Sequence, residues 1–294
     1  MSPPPEGGLR ALVRRPVDAL LRADLFELGA AMTLLMIVLS LHEPSWPVKL
    51  GLVTLTATAL VLRPLMRNPL LWLGLVGVLV LAYTQTWYQQ NNHDYLKLYW
   101  CLGVGVSLLA AEPLRAVRVN ARILIGLCFL FATVWKAVSV DYMSGAFFNY
   151  FLLQDTRFEL FADHLVGLDP SVLMQERAGR VFYTAFGDPA GVLAVPFAAE
   201  ARWLGVAMTW WTLLIEGAVA LAFLLPARFT LAKWRDAVLL VFIFSTYFIA
   251  PILYFAWLIT AMGLIQCERE TFRYAPVLYV AAFVLVLMRF YLPV

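Results

Sequence analysis

Apolar residues run through this chain in blocks of about 15–25, separated by short polar or basic connections. A helix rises 1.5 Å per residue, so about 20 such residues cross the hydrocarbon of a bilayer. The blocks fall at about 24–42, 49–63, 69–88, 95–111, 121–138, 203–225, 236–267 and 275–292. They predict an all-α fold, a polytopic transmembrane helix bundle of about eight spans. Two blocks are irregular. Residues 49–63 are short for a span. Residues 236–267 are too long for one straight helix, which would reach ~48 Å. Pro251 stands in the middle of that block, where it removes a helix hydrogen bond and clashes with the preceding turn. A broken or re-entrant pair of half-helices is expected there, an irregularity tolerated where protein buries it.

Composition strengthens the membrane assignment. Charged residues make up 14% and apolar residues 62% of the 294 positions, with a mean hydropathy of +0.79. Soluble domains carry roughly a quarter charged residues. The spans and their connections use up the length, so residues 1–294 are expected to form one membrane domain without a separate soluble domain. The start of the chain lacks a cleavable signal pattern, and its first apolar block is expected to be a retained span. No nucleic-acid partner is expected; the partners are membrane lipids and whatever the bundle binds.

Charge placement gives the orientation. Arg10, Arg14, Arg15 and Arg22 precede the first block, Arg63 and Arg67 follow the second, Arg115, Arg118 and Arg122 precede the fifth, and Arg228, Lys233 and Arg235 follow the sixth. All lie on one side if the N-terminus is cytoplasmic. The segment 139–202 then lies outside, with eight acidic residues against four arginines. It is rich in aromatic residues, and short helices capping the outer face are expected. Localisation in a bacterial inner (plasma) membrane is the expectation.

Three polar features interrupt the apolar background. Lys136 lies inside the fifth block. An intramembrane lysine either snorkels to the interface or faces the bundle interior, where a deprotonated amine can act as a general base. Glu216 is flanked by apolar residues for two turns on each side. It either joins two helices or takes part in chemistry, because a buried carboxylate needs a partner or a proton. The third feature is Asn91, Asn92, His93, Asp94 and Tyr95, read as part of an outward loop over 88–95. Such a cluster is either an ordinary polar loop or one wall of a site whose other wall carries Lys136. Cys101, Cys128 and Cys267 have no disulfide or zinc spacing and suit packing roles. No metal-ligand pattern is present, so no metal is expected.

Several patches resemble a known family. The run NNHDYL (91–96) resembles a segment of the vitamin K-dependent γ-glutamyl carboxylase. FATVWKAVSVDYMSGAFF (131–148) resembles the segment around that family's catalytic lysine, with Lys136 in the lysine's place. WWTLLIEGAVALAFLLP (210–226) is similar to the next span, with Trp210 and Glu216 matching a tryptophan and an acidic residue. YFAWLITAMGLIQC (254–267) resembles the span after it, and RRPVDALLRADLFELG resembles the family's opening segment. The patches fall in family order over most of the chain, and the wider group is the HTTM (horizontally transferred transmembrane) family.

The resemblance implies a quinol-dependent oxygenase or epoxidase. Its cofactors would be a reduced quinone (vitamin K hydroquinone or menaquinol), O2 and, for full carboxylase chemistry, CO2. Lys136 would be the base. His93 and Asn92 would hold the quinol oxygen, with Asn91, Tyr95, Trp210, Glu216 and Tyr247 around the substrate. A small peptide is the implied acceptor. Two departures are expected: Ile243 takes the position of a family histidine, with Tyr247 or Ser245 nearby as substitutes, and no counterpart of the large lumenal domain that follows the family's spans is expected. Two other classes stay open: a factor that matures a secreted peptide or toxin without carboxylase activity, and a non-enzymatic scaffold in which Lys136 pairs with Glu216 or snorkels.

Overall fold

The computed structural model describes residues 8–40, 45–158, 202–247 and 252–291, with isolated positions over 163–174 and at 249. The described residues are all-α. The helices are α1 (Gly8–Arg22), α2 (Leu25–Leu39), α3 (Trp46–Val61), α4 (Pro69–Gln85), α5 (Asn92–Ser107), α6 (Pro113–Val138), α7 (Val140–Met143) and α8 (Ala146–Gln154). Beyond the segment 159–201 follow α9 (Arg202–Leu224), α10 (Thr230–Lys233), α11 (Arg235–Tyr247), α12 (Leu253–Gln266) and α13 (Ala275–Tyr291).

Local chemistry sets several starts. Asp24 caps α2, its carboxylate accepting from the Glu27 N–H at 3.0 Å. Asn68 caps α4 by accepting from the Leu70 N–H at 2.9 Å, and Pro69 opens the helix without wasting a donor. Pro113 opens α6 in the same way, about two turns earlier than the apolar block at 121–138 suggests. Arg115, Arg118 and Arg122 are good helix formers, so the helix runs through the polar stretch. The amphipathic helix α1 precedes the first apolar block and was not among the expected elements.

The helices run alternately up and down, and contacts at each end fix their sense. At one end, Arg67 reaches Asp24 at 2.6 Å and Glu27 at 3.2 Å, joining the start of α2 to the turn between α3 and α4. At the opposite end, Lys97 near the start of α5 donates to Ser40 after α2 at 3.3 Å. There the Tyr83 hydroxyl near the end of α4 donates to the Asp94 carbonyl at 2.8 Å, and the Gln85 side chain accepts from the Ser45 N–H at 3.1 Å.

The block 236–267 is two helices. Arg235 opens α11 and pairs with Glu268 just past α12 at 2.7 Å. Asp236 accepts from the Gln266 amide at 2.5 Å. At the far end the rings of Tyr247 and Phe255 lie 6.3 Å apart. The helices are therefore antiparallel, and both outer termini of the block lie at the end that carries Asp24 and Arg67. Pro251 lies outside the described residues, between the last residue of α11 and the first of α12.

Helix α12 is the centre of the bundle. It packs against α2, α5, α6, α11 and α13, and every residue from Ala256 to Gln266 is buried. A helix apolar all round belongs in such a place. Gly29 lets α2 lie against it: a methyl group there would sit 2.4 Å from an Ile265 side-chain carbon. Trp257 stacks on Phe283 at 5.4 Å and donates to its carbonyl at 3.3 Å, fastening α13.

Among the described residues two helices, α6 and α9, are long and apolar enough to cross a membrane; α2, α3, α4, α12 and α13 are shorter apolar helices. Thirteen or fourteen residues in α11 or α12 extend only ~20 Å, less than the ~30 Å of a hydrocarbon core. Length alone therefore marks two helices and not eight.

The inward carboxylate of Asp236 also accepts from the Tyr279 hydroxyl at 2.9 Å, joining α11 to α13. Asp236→Ala strands two buried donors, each costing about 1–3 kcal/mol. It is expected to lower stability by about 2–4 kcal/mol, and Asp236→Asn by less. Thermal unfolding of the detergent-solubilised protein measures both.

Candidate functional site

Lys136 stands two residues before the end of α6, in its last turn, where a cation also complements the carbonyl end of the helix. Its ammonium forms an ion pair and hydrogen bond with Oε1 of Glu216 on α9. The Lys136 side chain is 24% exposed and that of Glu216 is 8% exposed. Lysine does not snorkel away here; it turns to the carboxylate. The pair joins the two membrane-length helices, which also pack against each other along much of their length.

A cover of short helices lies over the pair. Glu216 is fourteen residues into α9, ~21 Å from that helix's start, so α9 projects well past the end of α6. Helices α7 and α8 fill the step beside it. The Ser139 hydroxyl accepts from the Tyr142 N–H at 3.3 Å and starts α7. Gly145, at φ +80°, turns the chain into α8. A side chain there would be strained and would meet Val206 of α9 at 3.0 Å. Thr209 of α9 donates to the Tyr142 carbonyl at 3.2 Å. Tyr142 is buried, and the Lys136 ammonium lies 5.5 Å from its ring centre, within cation–π range.

On the interior side, Glu216 lies within electrostatic reach of Tyr247 at the end of α11 and Cys128 on α6. Tyr247 is fully buried among aromatic rings: Phe242 at 5.3 Å and Phe255 at 6.3 Å. Phe129 closes the group, 4.7 Å from Phe242 and 6.0 Å from Phe255. Among the described residues, Oε2 of Glu216 and the Tyr247 hydroxyl are buried here without a hydrogen-bond partner, as is the Tyr142 hydroxyl in the cover. Buried polar atoms are nearly always satisfied, and orphans mark a function or a missing partner.

His93 reaches the same aromatic group from the other side, its ring 5.3 Å from Phe255. It precedes the apolar segment 95–111. His93 and Lys136 thus share one end of the bundle, joined through Phe255, Tyr247 and Glu216. No direct contact joins them among the described residues.

The rest of the polar cluster is not a loop. It is the start of α5. The Asn91 N–H donates to Asp94 at 3.1 Å, a helix-capping contact. Asp94 in turn pairs with Lys97 at 3.1 Å, a lysine 6% exposed in its side chain that sequence reasoning passed over. Asn91, Asn92 and Tyr95 are exposed and stand apart from the Lys136–Glu216 pair. Trp210 is 51% exposed on a face of α9 with Leu214, not on the face that buries Glu216. Of the expected site residues, Lys136, Glu216, Tyr247 and His93 converge; Asn91, Asn92, Tyr95 and Trp210 do not. Tyr142, Cys128, Phe129, Phe242 and Phe255 join them. Only the aromatic residue after Asp141 and Phe255 lay within patches that already stood out in the sequence.

The donor set suits a flat, two-ended polar ligand such as a hydroquinone: orphan oxygens on Glu216 and Tyr247, with aromatic rings around them. Ile243 is buried in the core of α11 and offers no polar group. Comparison with protein-family models, with curated proteins and with solved structures finds no match to this chain.

Removing one partner of a buried ion pair strands the other, a loss of about 3–5 kcal/mol for fully buried pairs. Partial exposure of Lys136 reduces this, so Lys136→Met and Glu216→Leu alone are each expected to cost about 2–4 kcal/mol. The double variant is expected to recover at least half of that loss. A double-mutant cycle in thermal or denaturant unfolding gives the coupling directly.

Proposed function

We propose that this chain is an integral membrane protein of the carboxylase-like HTTM type, acting as a quinol-dependent oxygenase from the Lys136–Glu216 site. The observation that carries it is the ion pair with two orphan buried oxygens beside it, Glu216 Oε2 and the Tyr247 hydroxyl, in an aromatic surround that His93 closes. The sequence patches around 91–96 and 131–148 support the same assignment.

Membrane placement is supported by the outer surface. Large apolar side chains point outward along most of the bundle, among them Val61 at 79%, Leu70 at 72%, Trp135 at 76% and Phe131 at 68% exposed. A water-soluble surface does not carry apolar area on that scale. Taking α2, α3, α4, α5, α6, α9, α11, α12 and α13 as the membrane-embedded helices, the arginine-rich turns share one end, the cytoplasmic one. The proposed site then faces the outer side of a bacterial plasma membrane, beneath α7 and α8. A lipid-soluble quinone enters sideways from the bilayer.

The pair holds one labile proton. On Nζ it gives an ion pair; moved to Glu216 it leaves a neutral amine, a usable base toward a hydroxyl next to it. Bound there, a reduced quinone supplies the electrons for O2 chemistry, with an overall balance of hydroquinone plus O2 to epoxide plus water. Tyr247 and Glu216 Oε2 orient the ring oxygens. His93 offers its ring nitrogens at the opposite side. Phe129, Phe242 and Phe255 keep water away from a strong base. A small peptide with CO2 is the acceptor that the family likeness implies.

A structural role for the pair has its own support, since Lys136 and Glu216 bind each other and clasp the two longest helices. The two roles separate experimentally. Protein in nanodiscs is given reduced menaquinone or vitamin K with O2, and the 2,3-epoxide is sought by mass spectrometry. Wild type is expected to form it, and Lys136→Ala to lose at least about 100-fold, the scale of a missing general base. Tyr247→Phe removes an unpartnered hydroxyl, so stability should stay within about 0.5 kcal/mol while epoxide formation falls. No epoxide from folded wild type, with unfolding in Lys136→Ala, leaves the pair a clasp and rejects the oxygenase.

A further inference from the structure

At the end of the bundle opposite the Lys136–Glu216 pair lies a cleft of about 380 Å³. It opens between the α1–α2 junction, the start of α6 and the turn after α12. Three arginines line it: Arg22, Arg118 and Arg269. Three carboxylates line it too: Asp24, Glu268 and Glu270. Two of those are already engaged by cations that do not line the cleft. Asp24 is held by Arg67 at 2.6 Å, and Glu268 by Arg235 at 2.7 Å. Arg67 is shared between Asp24 and Glu27, so five arginines meet four carboxylates in and around the cleft, a local excess of one positive charge.

The arginines are poorly satisfied. Among the described residues neither Arg22 nor Arg118 has an ion-pair partner, and both are exposed. Arg269 donates one Nη to the Ala23 carbonyl, which holds its guanidinium at the cleft wall; its Nε is buried with no partner. The backbone at the start of α6 adds to the charge, whereas the start of α2 is already capped by the Asp24 carboxylate. Leu25 and Phe26, in the first turn of α2, and Leu114, in the first turn of α6, line the cleft. The first N–H groups of a helix lack intrahelical acceptors and carry partial positive charge. Forked guanidinium groups and a helix start together match a phosphate, which takes several donors at once.

We propose that this cleft is a binding site for a phosphate group, presented by the headgroup of an anionic lipid or by a free phosphate. Its place among the arginine-rich turns sets it at headgroup level on the cytoplasmic side if the membrane reading holds; a free phosphate needs no such reading. Arg269 anchors the site, and Arg22 and Arg118 close on the ligand from the exposed side. Nothing in this inference depends on the chemistry at Lys136.

The test compares the full-length protein, purified in neutral detergent, with and without added phosphatidylglycerol or inorganic phosphate. Thermal unfolding and lipid retention by native mass spectrometry are the readouts. The expected result is a rise in melting temperature with phosphatidylglycerol, and apparent affinity at least about tenfold weaker in R22Q/R118Q. Among the described residues those two side chains hold nothing else, so the variant should fold with an unchanged melting temperature in the absence of ligand. R115Q removes an arginine outside the cleft, paired with Glu112, and is expected to leave the response unchanged. The same arginine-dependent response to inorganic phosphate, with none to the lipid, assigns the site to a soluble phosphate. No response that depends on Arg22 and Arg118 to either ligand overturns the proposal, as does an equal loss in R115Q, which reduces the effect to general surface charge.

Discussion

The burial of α12 on every side is the constraint around which the bundle forms. Its fourteen residues carry no charge, and beside the polar tips of Tyr254 and Trp257 only Thr260 and Gln266 are polar. Its backbone groups are satisfied within the helix, so it can sit where water cannot reach. Five other helices take their positions from it. Gly29 sets how closely α2 approaches, and Trp257 seats α13. Because α12 is short and returns antiparallel to α11, both of its ends fall on polar layers. The layer at Gln266 meets Asp236, Tyr279 and the arginine-rich turns. The layer at Leu253 meets His93 and, through Phe255, the aromatic group beside Glu216.

Both polar layers tie helices together and both hold buried atoms without a partner, among them Arg235 Nε and Gln266 Oε1 at the arginine-rich end. At the arginine-rich end Asp236 accepts two hydrogen bonds and Arg67 holds two carboxylates, connections that tie helices together. At the other end a carboxylate oxygen and a tyrosine hydroxyl are buried with no partner, beside a lysine that faces the same carboxylate. Stability alone does not favour such orphans, because each carries an uncompensated desolvation cost.

Much of this was legible along the chain. Continuous apolar blocks mean helices in an apolar setting, and a proline in a block too long for one helix means a break. Lys136 and Glu216 stood out because an isolated charge in an apolar run must find a partner. Their mutual pairing was open as one of several outcomes, since eighty residues separate them and neither position encodes its distance to the other. The run at 91–95 illustrates the limit. Its polar character was evident, but the same residues serve loops and helix starts alike. Asn91 and Asp94 prove to be capping groups, and only His93 turns inward. Lys97 went unnoticed because a lysine next to a polar run reads as solvated, and its burial depends on Ser40 and Tyr83 from other helices.

What the sequence determined by itself was the secondary structure class, the apolar character of the helices and the few charges that had to be accommodated. Those follow from local composition and periodicity, which each segment carries within itself. The tertiary structure decided the antiparallel return of α11 and α12, the choice of α12 as the central helix, the pairing of Lys136 with Glu216, and the placing of Tyr247 and His93 at the same end of the bundle. It also decided that Trp210 faces outward. These depend on which helix packs beside which, and on angles around helix axes that accumulate over many residues. No short stretch contains that information, because a contact between distant residues exists only once the chain has paid the entropy of bringing them together.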